Sequence, residues 1–206
     1  MIADLNERYL VGVPGVCELW LIRHGDAYGG MGALAEGVID PPLTERGRWE
    51  VERLAARMAS VPIDAVWSSP LRRTAETARE IAAGRDLDVR IDDRLREVRM
   101  HWDEGREPER LAPGSYPFPE PEEEVAQRMR SVLADVVACL AGADGAAPPR
   151  AAVVTHNGTI AIYLMSVLGL RWGQLRVMPQ FTSVSVVAVK DDLTVVHSIG
   201  DVTHLA

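Results

Sequence analysis

The stretch LWLIRHG, residues 19–25, runs four apolar residues directly into Arg23, His24 and Gly25. An apolar run without alternation is typical of a strand that is covered on both faces, as in a parallel sheet. In open α/β sheets, ligands bind beyond the carboxyl ends of the strands. A buried strand that ends in a guanidinium, an imidazole and a glycine therefore indicates a binding site at that end.

A second stretch, AAVVTHNG at residues 151–158, repeats this design, with His156 and a glycine at the end of another apolar run. The glycines allow backbone and ligand to approach closely. A lone histidine is more often structural than functional. Two histidines in matching settings favour a shared site, and we expect His24 and His156 to converge there.

The remaining patterns alternate between strand and helix. Strand-like runs occur at 16–22, 63–68, 87–91, 151–156, 183–190 and 193–199, and helical patterns at 44–59, 71–83, 123–140 and about 158–168. We expect Thr44 to cap the first of these helices, and Ser69 with Pro70 to begin the second. The alternation predicts a three-layer α/β/α sandwich with a mostly parallel central sheet, and the last two runs are compatible with a hairpin.

Arg72 and Arg73 fall in the first turn of the helix that follows Ser69. A cation at a helix N-terminus opposes the macrodipole, so this pair needs an explanation. A solvated helix face explains one arginine. A bound anion explains the other, because a guanidinium offers paired donors that match phosphate.

The length of 206 residues predicts one domain. We interpret residues 1–15 as an N-terminal extension and 16–206 as a single catalytic domain. The proline-rich stretch 101–124 has no clear period. It is either a surface connection or an insertion that acts as a lid.

Composition narrows the class of protein. A net charge of −8 without a basic block argues against nucleic acid as a partner. Neither a signal peptide nor an apolar run of about 18 residues occurs, so we expect no membrane association. The only cysteines, Cys17 and Cys139, form no disulfide framework, which fits the cytoplasm. The oligomeric state stays open, with a homodimer as one alternative.

An ordered set of motifs resembles the histidine phosphatase superfamily, in its phosphoglycerate-mutase-like branch (branch 1). The motifs are LIRHGDA, DPPLTERG, SSPLRRTAETA, LREV and VTHNG, and they begin near residue 19 and continue over most of the chain. The resemblance implies a phosphoglycerate-mutase-like fold and a phosphorylated small molecule as substrate. It implies neither a metal nor a cofactor.

The resemblance also implies a role for each matching residue. His24 would be the nucleophile that becomes phosphorylated, and Glu97 the proton donor and acceptor. Arg23, Arg73 and His156 would bind the phosphate. These residue types suit the chemistry, because phosphoryl transfer needs an in-line nucleophile and positive groups around the equatorial oxygens.

The chain departs from the family pattern just after His24. Many members have an acid and a hydroxyl residue next to the RHG motif and an asparagine six positions past the histidine. Asp26, Ala27 and Gly30 occupy these positions here. What replaces that asparagine is left open.

A metal-independent phosphatase acting on small phosphate monoesters is the leading hypothesis. Its closest alternative is a phosphoglycerate mutase, although family mutases are usually longer than this chain. Three further alternatives remain: a phosphatase acting on phosphohistidine in proteins, a non-catalytic phosphate sensor, and a metal-dependent phosphoesterase with His24, Asp26 and Asp40 as ligands.

Overall fold

The computed structural model describes residues 2–28, 40–99, 115–141 and 147–206. The described strands form one six-stranded sheet in the order β3-β2-β4-β1-β5-β6. They are β1 (Cys17–Arg23), β2 (Ala65–Ser68), β3 (Val89–Ile91), β4 (Arg150–Thr155), β5 (Val184–Lys190) and β6 (Leu193–Asp201). Strands β1 to β4 pair in parallel, whereas β5 runs antiparallel to both β1 and β6. The predicted mostly parallel sheet and the terminal hairpin are confirmed.

Helices cover both faces of the sheet. They are α1 (Ile2–Tyr9), α2 (Glu45–Met58), α3 (Arg72–Ala82), α4 (Glu122–Leu140) and α5 (Asn157–Val167). Along β1, Leu19 and Leu21 pack in the core cluster that contains α4 and α5, and Ile22 packs in the cluster that contains α2 and α3. This double burial explains why β1 shows no polar alternation. The three-layer sandwich is confirmed.

The carboxyl ends of three neighbouring strands meet at one edge of the sheet. The register pairs Arg23 of β1 with Thr155 of β4, and Ser68 of β2 with Val154 of β4. The residues that follow these strands therefore emerge side by side. The backbone N–H of His24 donates to the Thr155 carbonyl at 3.2 Å, which continues the ladder one residue beyond β1.

The capping predictions have different outcomes. Thr44 caps α2 as expected, since its Oγ1 accepts from the Gly47 amide at 3.0 Å. The prediction for Ser69 is wrong: α3 begins at Arg72, and its N-cap residue Leu71 supplies no side-chain bond. Ser69 is instead fully buried, and its hydroxyl forms a hydrogen bond with His156 at the edge of the sheet.

Only part of the 101–124 stretch lies within the described residues. Tyr116 and Phe118 pack edge to face with each other at 5.3 Å between ring centroids, and both pack on Trp172. Residues 101–114, which carry most of the lid hypothesis, lie outside the description, as does Gly30. Within the described ranges, no helix combines the length and apolar character that crossing a bilayer requires.

Candidate active site

His24 lies at the centre of the site, immediately after β1, and is 1% exposed. Its Nδ1 is 2.7 Å from the Gly25 carbonyl. A carbonyl only accepts hydrogen bonds, so Nδ1 carries the proton. Nε2 is then left with its lone pair, and it accepts a hydrogen bond from Nε of Arg73 at 3.2 Å. The Gly25 carbonyl thus selects the tautomer in which the unprotonated Nε2 faces Arg73.

The surroundings of His24 keep it neutral. Burial lowers its pKa well below the ordinary value of 6.5, and the charges of Arg73 and Arg23 lower it further. The bond to Gly25 acts in the opposite direction but does not compensate. A neutral imidazole with an unprotonated nitrogen is the form that attacks phosphorus.

Two guanidinium groups lie beside His24, and each has an N–H group that forms no hydrogen bond with the described residues. Arg73 is 2% exposed and comes from the first turn of α3. Its Nη1 lies 3.5 Å from Asp40, close enough for ion pairing, yet forms no hydrogen bond within the described ranges. Nε of Arg23 is also buried and has no partner among the described residues. Buried unpaired N–H groups are rare in folded proteins, so these two indicate an anion site.

Arg23 is held by the segment before β5. Its Nη1 donates to the Pro179 carbonyl at 2.8 Å, and its Cζ lies 3.8 Å from the centroid of the Phe181 ring. The aromatic ring also faces His24, with centroids 5.8 Å apart. A cation held against an aromatic face is both oriented and partly shielded from water.

The structure brings His156 against His24, with ring centroids 5.1 Å apart. Its Nδ1 lies 3.3 Å from Nη2 of Arg73, and its Nε2 lies 2.9 Å from Oγ of Ser69. Since a guanidinium only donates, Nδ1 accepts and Nε2 carries the proton toward Ser69. Burial, followed by the charge of Arg73, lowers the pKa of His156 well below its ordinary value. In this arrangement, neutral His156 orients Arg73.

Glu97 lies at the N-terminus of α5. Its Oε1 accepts from the amides of Val98 at 2.9 Å and Thr159 at 3.2 Å. A Cβ atom on Gly158 would come within 2.9 Å of this oxygen, so the glycine of the THNG motif makes room for the carboxylate. Burial lowers the pKa of Arg23, and the negative charge of Glu97 partly opposes that effect. Glu97 therefore lies within electrostatic range of Arg23.

The loop after His24 is held by α2. The amide of Asp26 donates to Oε2 of the buried Glu50 at 2.9 Å, and Oδ2 of Asp26 accepts from Thr44 at 3.0 Å. Oδ1 of Asp26 accepts from the Tyr28 amide at 3.0 Å. Asp26 thus shapes the loop. Among the described residues, His24, Asp26 and Asp40 do not gather into a cluster of metal ligands.

All five residues that the sequence singled out, Arg23, His24, Arg73, Glu97 and His156, lie at this edge of the sheet. Sequence reasoning missed Ser69 and Phe181, which contact His156 and Arg23. Ser69 was assigned to a helix cap, and Phe181 belongs to a segment without a recognisable motif. No signal in the sequence alone marks Phe181, since it meets Arg23 across a separation of more than 150 residues.

Comparisons with known proteins identify the family of the chain. The family model of the histidine phosphatase superfamily (branch 1) matches residues 19–202. Proteins named probable phosphoglycerate mutase from Escherichia fergusonii and Cronobacter sakazakii are 30% and 31% identical, each aligned over 91% of this chain and 94% of its own length.

Solved structures share the fold. Bacillus stearothermophilus YhfR superposes with a TM-score of 0.72 at 23% identity, over 92% of this chain and all of its own. A mycobacterial glucosyl-3-phosphoglycerate phosphatase gives 0.69 at 22% identity, over 90% and 99%. The matched family model spans every motif from LIRHGDA to VTHNG, and the chain belongs to the histidine phosphatase superfamily, branch 1.

Proposed function

We propose that the protein is a metal-independent phosphatase that hydrolyses small phosphate monoesters through a phosphohistidine on His24. The observation that carries this proposal is the pairing of a neutral, buried imidazole with two guanidinium N–H groups that have no hydrogen-bond acceptor among the described residues. Nε2 of His24 holds its lone pair within 3.2 Å of Arg73, and Arg23 and Arg73 each offer a buried N–H. A dianionic phosphate group supplies both the acceptors and the electrophile that this arrangement lacks.

In the first step, Nε2 of His24 attacks phosphorus in line with the leaving oxygen. The N–P bond forms as the P–O bond to the leaving group breaks, and Glu97 transfers its proton to the departing oxygen. The Gly25 carbonyl, already bonded to Nδ1, stabilises the positive charge that develops on the ring. Arg23 and Arg73 neutralise the equatorial oxygens.

In the second step, the Glu97 carboxylate takes a proton from water as the water oxygen attacks phosphorus. The P–N bond breaks, inorganic phosphate leaves, and His24 recovers its lone pair while Glu97 recovers its proton. One carboxyl group therefore serves both half-reactions, and the cycle closes with all atoms and charges restored.

Phosphoglycerate mutase activity is the second candidate, and the names of the curated relatives favour it. A mutase returns the phosphoryl group from His24 to a bound product, whereas a phosphatase gives it to water. The length argument for hydrolysis carries no weight, because the chain aligns with 94% of the length of these relatives. The ratio of phosphate release to phosphoglycerate isomerisation separates the two activities.

The experiment measures inorganic phosphate released from p-nitrophenyl phosphate and from 3-phosphoglycerate, with and without EDTA, and the isomer of any remaining phosphoglycerate. We expect phosphate release that EDTA does not reduce. His24→Ala should abolish the release, whereas the matched control His197→Ala should retain it, because His197 lies on β6 and contacts Tyr9. Isomerisation without phosphate release would establish the mutase instead, and full activity in His24→Ala would refute the phosphohistidine.

A further inference from the structure

The backbone that carries Glu97 is held by side chains from three other elements. The carbonyls of the three preceding residues each accept a side-chain hydrogen bond: Arg94 and Arg96 from Arg128, and Leu95 from Thr155 at 2.7 Å. Arg96 also accepts from Thr159 at 2.8 Å. Thr155 and Thr159 flank the His156 segment, so they tie Glu97 to the anion site.

Arg128 of α4 has a different position. Its Nη1 reaches the carbonyl of Arg94 at 2.6 Å and that of Arg96 at 2.8 Å. Its Nε and Nη2 contact the two carboxylate oxygens of Glu120, at 2.8 and 3.3 Å. One planar guanidinium thus joins a carboxylate to two backbone carbonyls, which a lysine ammonium does not reproduce with the same geometry.

Glu120 extends this arrangement to the other side of Glu97. Its Oε2 accepts from the Arg99 amide at 2.9 Å. The pair Arg128 and Glu120 therefore fixes residues 94 and 96 before Glu97 and residue 99 after it. Because the side chains of Arg128 and Glu120 are only 18% and 7% exposed, solvent screens this ion pair far less than a surface pair.

We infer that Arg128, held by Glu120, is a positioning residue for Glu97: Arg128 bonds the backbone before Glu97, Glu120 bonds the backbone after it, and together they fix Glu97 at the reaction centre. This inference rests on the proposed function, in which Glu97 protonates the leaving oxygen. Arg128 itself contacts no reacting atom.

The role has a specific kinetic signature. Nitrophenolate leaves readily without a proton, whereas phenolate leaves poorly and depends on the general acid. A displaced Glu97 therefore slows phenyl phosphate more than p-nitrophenyl phosphate, and the effect falls on kcat/KM, which covers the steps up to the breaking of the P–O bond. A general loss of folded protein lowers the apparent kcat/KM for both substrates by the same factor.

The experiment compares kcat/KM for the two substrates in the full chain. We expect Arg128→Met to lower the value for phenyl phosphate about 10- to 100-fold and that for p-nitrophenyl phosphate less than about threefold. Arg128→Lys keeps a cation beside Glu120 but cannot bond both carbonyls. It should therefore lower kcat/KM less than Arg128→Met does, and again more for phenyl phosphate than for p-nitrophenyl phosphate. If Arg128→Met does not fold, the lysine variant decides alone.

The matched control is Arg130→Met on the same helix. Arg130 pairs with Glu123 at 3.1 Å on the exposed face, where the two side chains are 48% and 80% exposed. This variant should leave both values unchanged. In the Glu97→Gln background, Arg128→Met should add no further selectivity, because the two residues act through one group.

The inference is overturned if Arg128→Met and Arg128→Lys lower kcat/KM equally for both substrates, so that the ratio of the two values does not change. It is also overturned if Arg128→Met causes the same selective loss for phenyl phosphate in the Glu97→Gln background. These results leave the proposed function intact as long as Glu97→Gln itself slows phenyl phosphate selectively. Failure of the wild-type protein to release phosphate from either substrate overturns the proposed function as well, so the two failures are distinguishable.

Discussion

The reactivity of His24 depends on which of its ring nitrogens carries the proton. The Gly25 carbonyl, 2.7 Å from Nδ1, holds the proton on the side away from Arg73, and burial with two neighbouring cations keeps the ring neutral. Each of these two cations also has a buried N–H group without an acceptor in the described part of the chain, which phosphate would supply under the proposed function. The proposed nucleophile and the proposed anion site therefore depend on the same two arginines.

A substitution at Gly158 tests whether catalysis requires the observed position of Glu97. Gly158→Ala would place a Cβ atom 2.9 Å from both Oε1 of Glu97 and Cγ2 of Val98. We expect the carboxylate to shift and kcat/KM for phenyl phosphate to fall at least about tenfold, as measured by steady-state kinetics.

Gly84→Ala is the control for this prediction. Gly84 has open space around it but a left-handed backbone with φ of +74°. Alanine there should lower the free energy of unfolding by about 1 kcal/mol and leave kcat/KM unchanged. Wild-type kinetics in Gly158→Ala would show that the contact with Glu97 is irrelevant to catalysis.

The elements of the fold were largely predictable because their signals are local. The uninterrupted apolar runs of β1 and β4 reflect burial on both faces, and the spacing of Val125, Met129, Val132 and Val136 reflects the buried face of α4. The start of α3 was not predictable by the same rules. Serine is a preferred residue type at a helix N-cap, but the Ser69 hydroxyl forms a hydrogen bond with His156, which is 87 residues away in sequence.

The residue that caps helix α2 also contacts the loop that follows His24. Thr44 accepts from the Gly47 amide and donates to Asp26, so one hydroxyl both begins the helix and holds the loop after His24. Thr44→Ala should lower the free energy of unfolding by about 1 to 2 kcal/mol in urea titrations, whereas Thr44→Ser should retain most of it. Equal stability of the alanine variant and the wild type would contradict this account.

At the scale of the whole molecule, the position of the site follows from the parallel pairing of β1, β2 and β4. The convergence of His24, His156 and the start of α3 at one edge was predictable, because parallel strands bring their carboxyl ends together. The strand order was not predictable, and neither were the contacts of Phe181, because both depend on how distant segments pack. The role of Arg128 was likewise not predictable, since only the folded chain brings it to the backbone that precedes Glu97.

Buried neutral histidines also make the stability of the molecule depend on pH. Burial is the largest cause that lowers the pKa of His24, His156 and His204 in the folded protein, whereas the unfolded chain takes up protons near pH 6.5. The unfolded state therefore binds more protons below that pH, and the free energy of unfolding falls as the pH drops. For each fully neutral histidine, the slope is at most about 1.4 kcal/mol per pH unit.

Urea unfolding between pH 7.5 and 5 measures this dependence. The range lies above the pH at which Asp92 and Asp201, with pKa values lowered from 3.8, contribute. The double variant His24→Gln and His156→Gln should show a flatter profile than the wild type. Stability that stays constant over this range in the wild type would mean that the two histidines are not held neutral.

In the proposed mechanism, His24 carries the phosphoryl group during turnover. Rapid mixing with p-nitrophenyl phosphate, an alkaline quench and mass spectrometry of the digested protein measures this directly. We expect a phosphoryl group on the peptide that contains His24, stable in alkali and lost in acid. It should accumulate when Glu97→Gln slows the attack of water. Turnover with no phosphorylated His24 under these conditions, or a phosphoryl group on another residue, would contradict it.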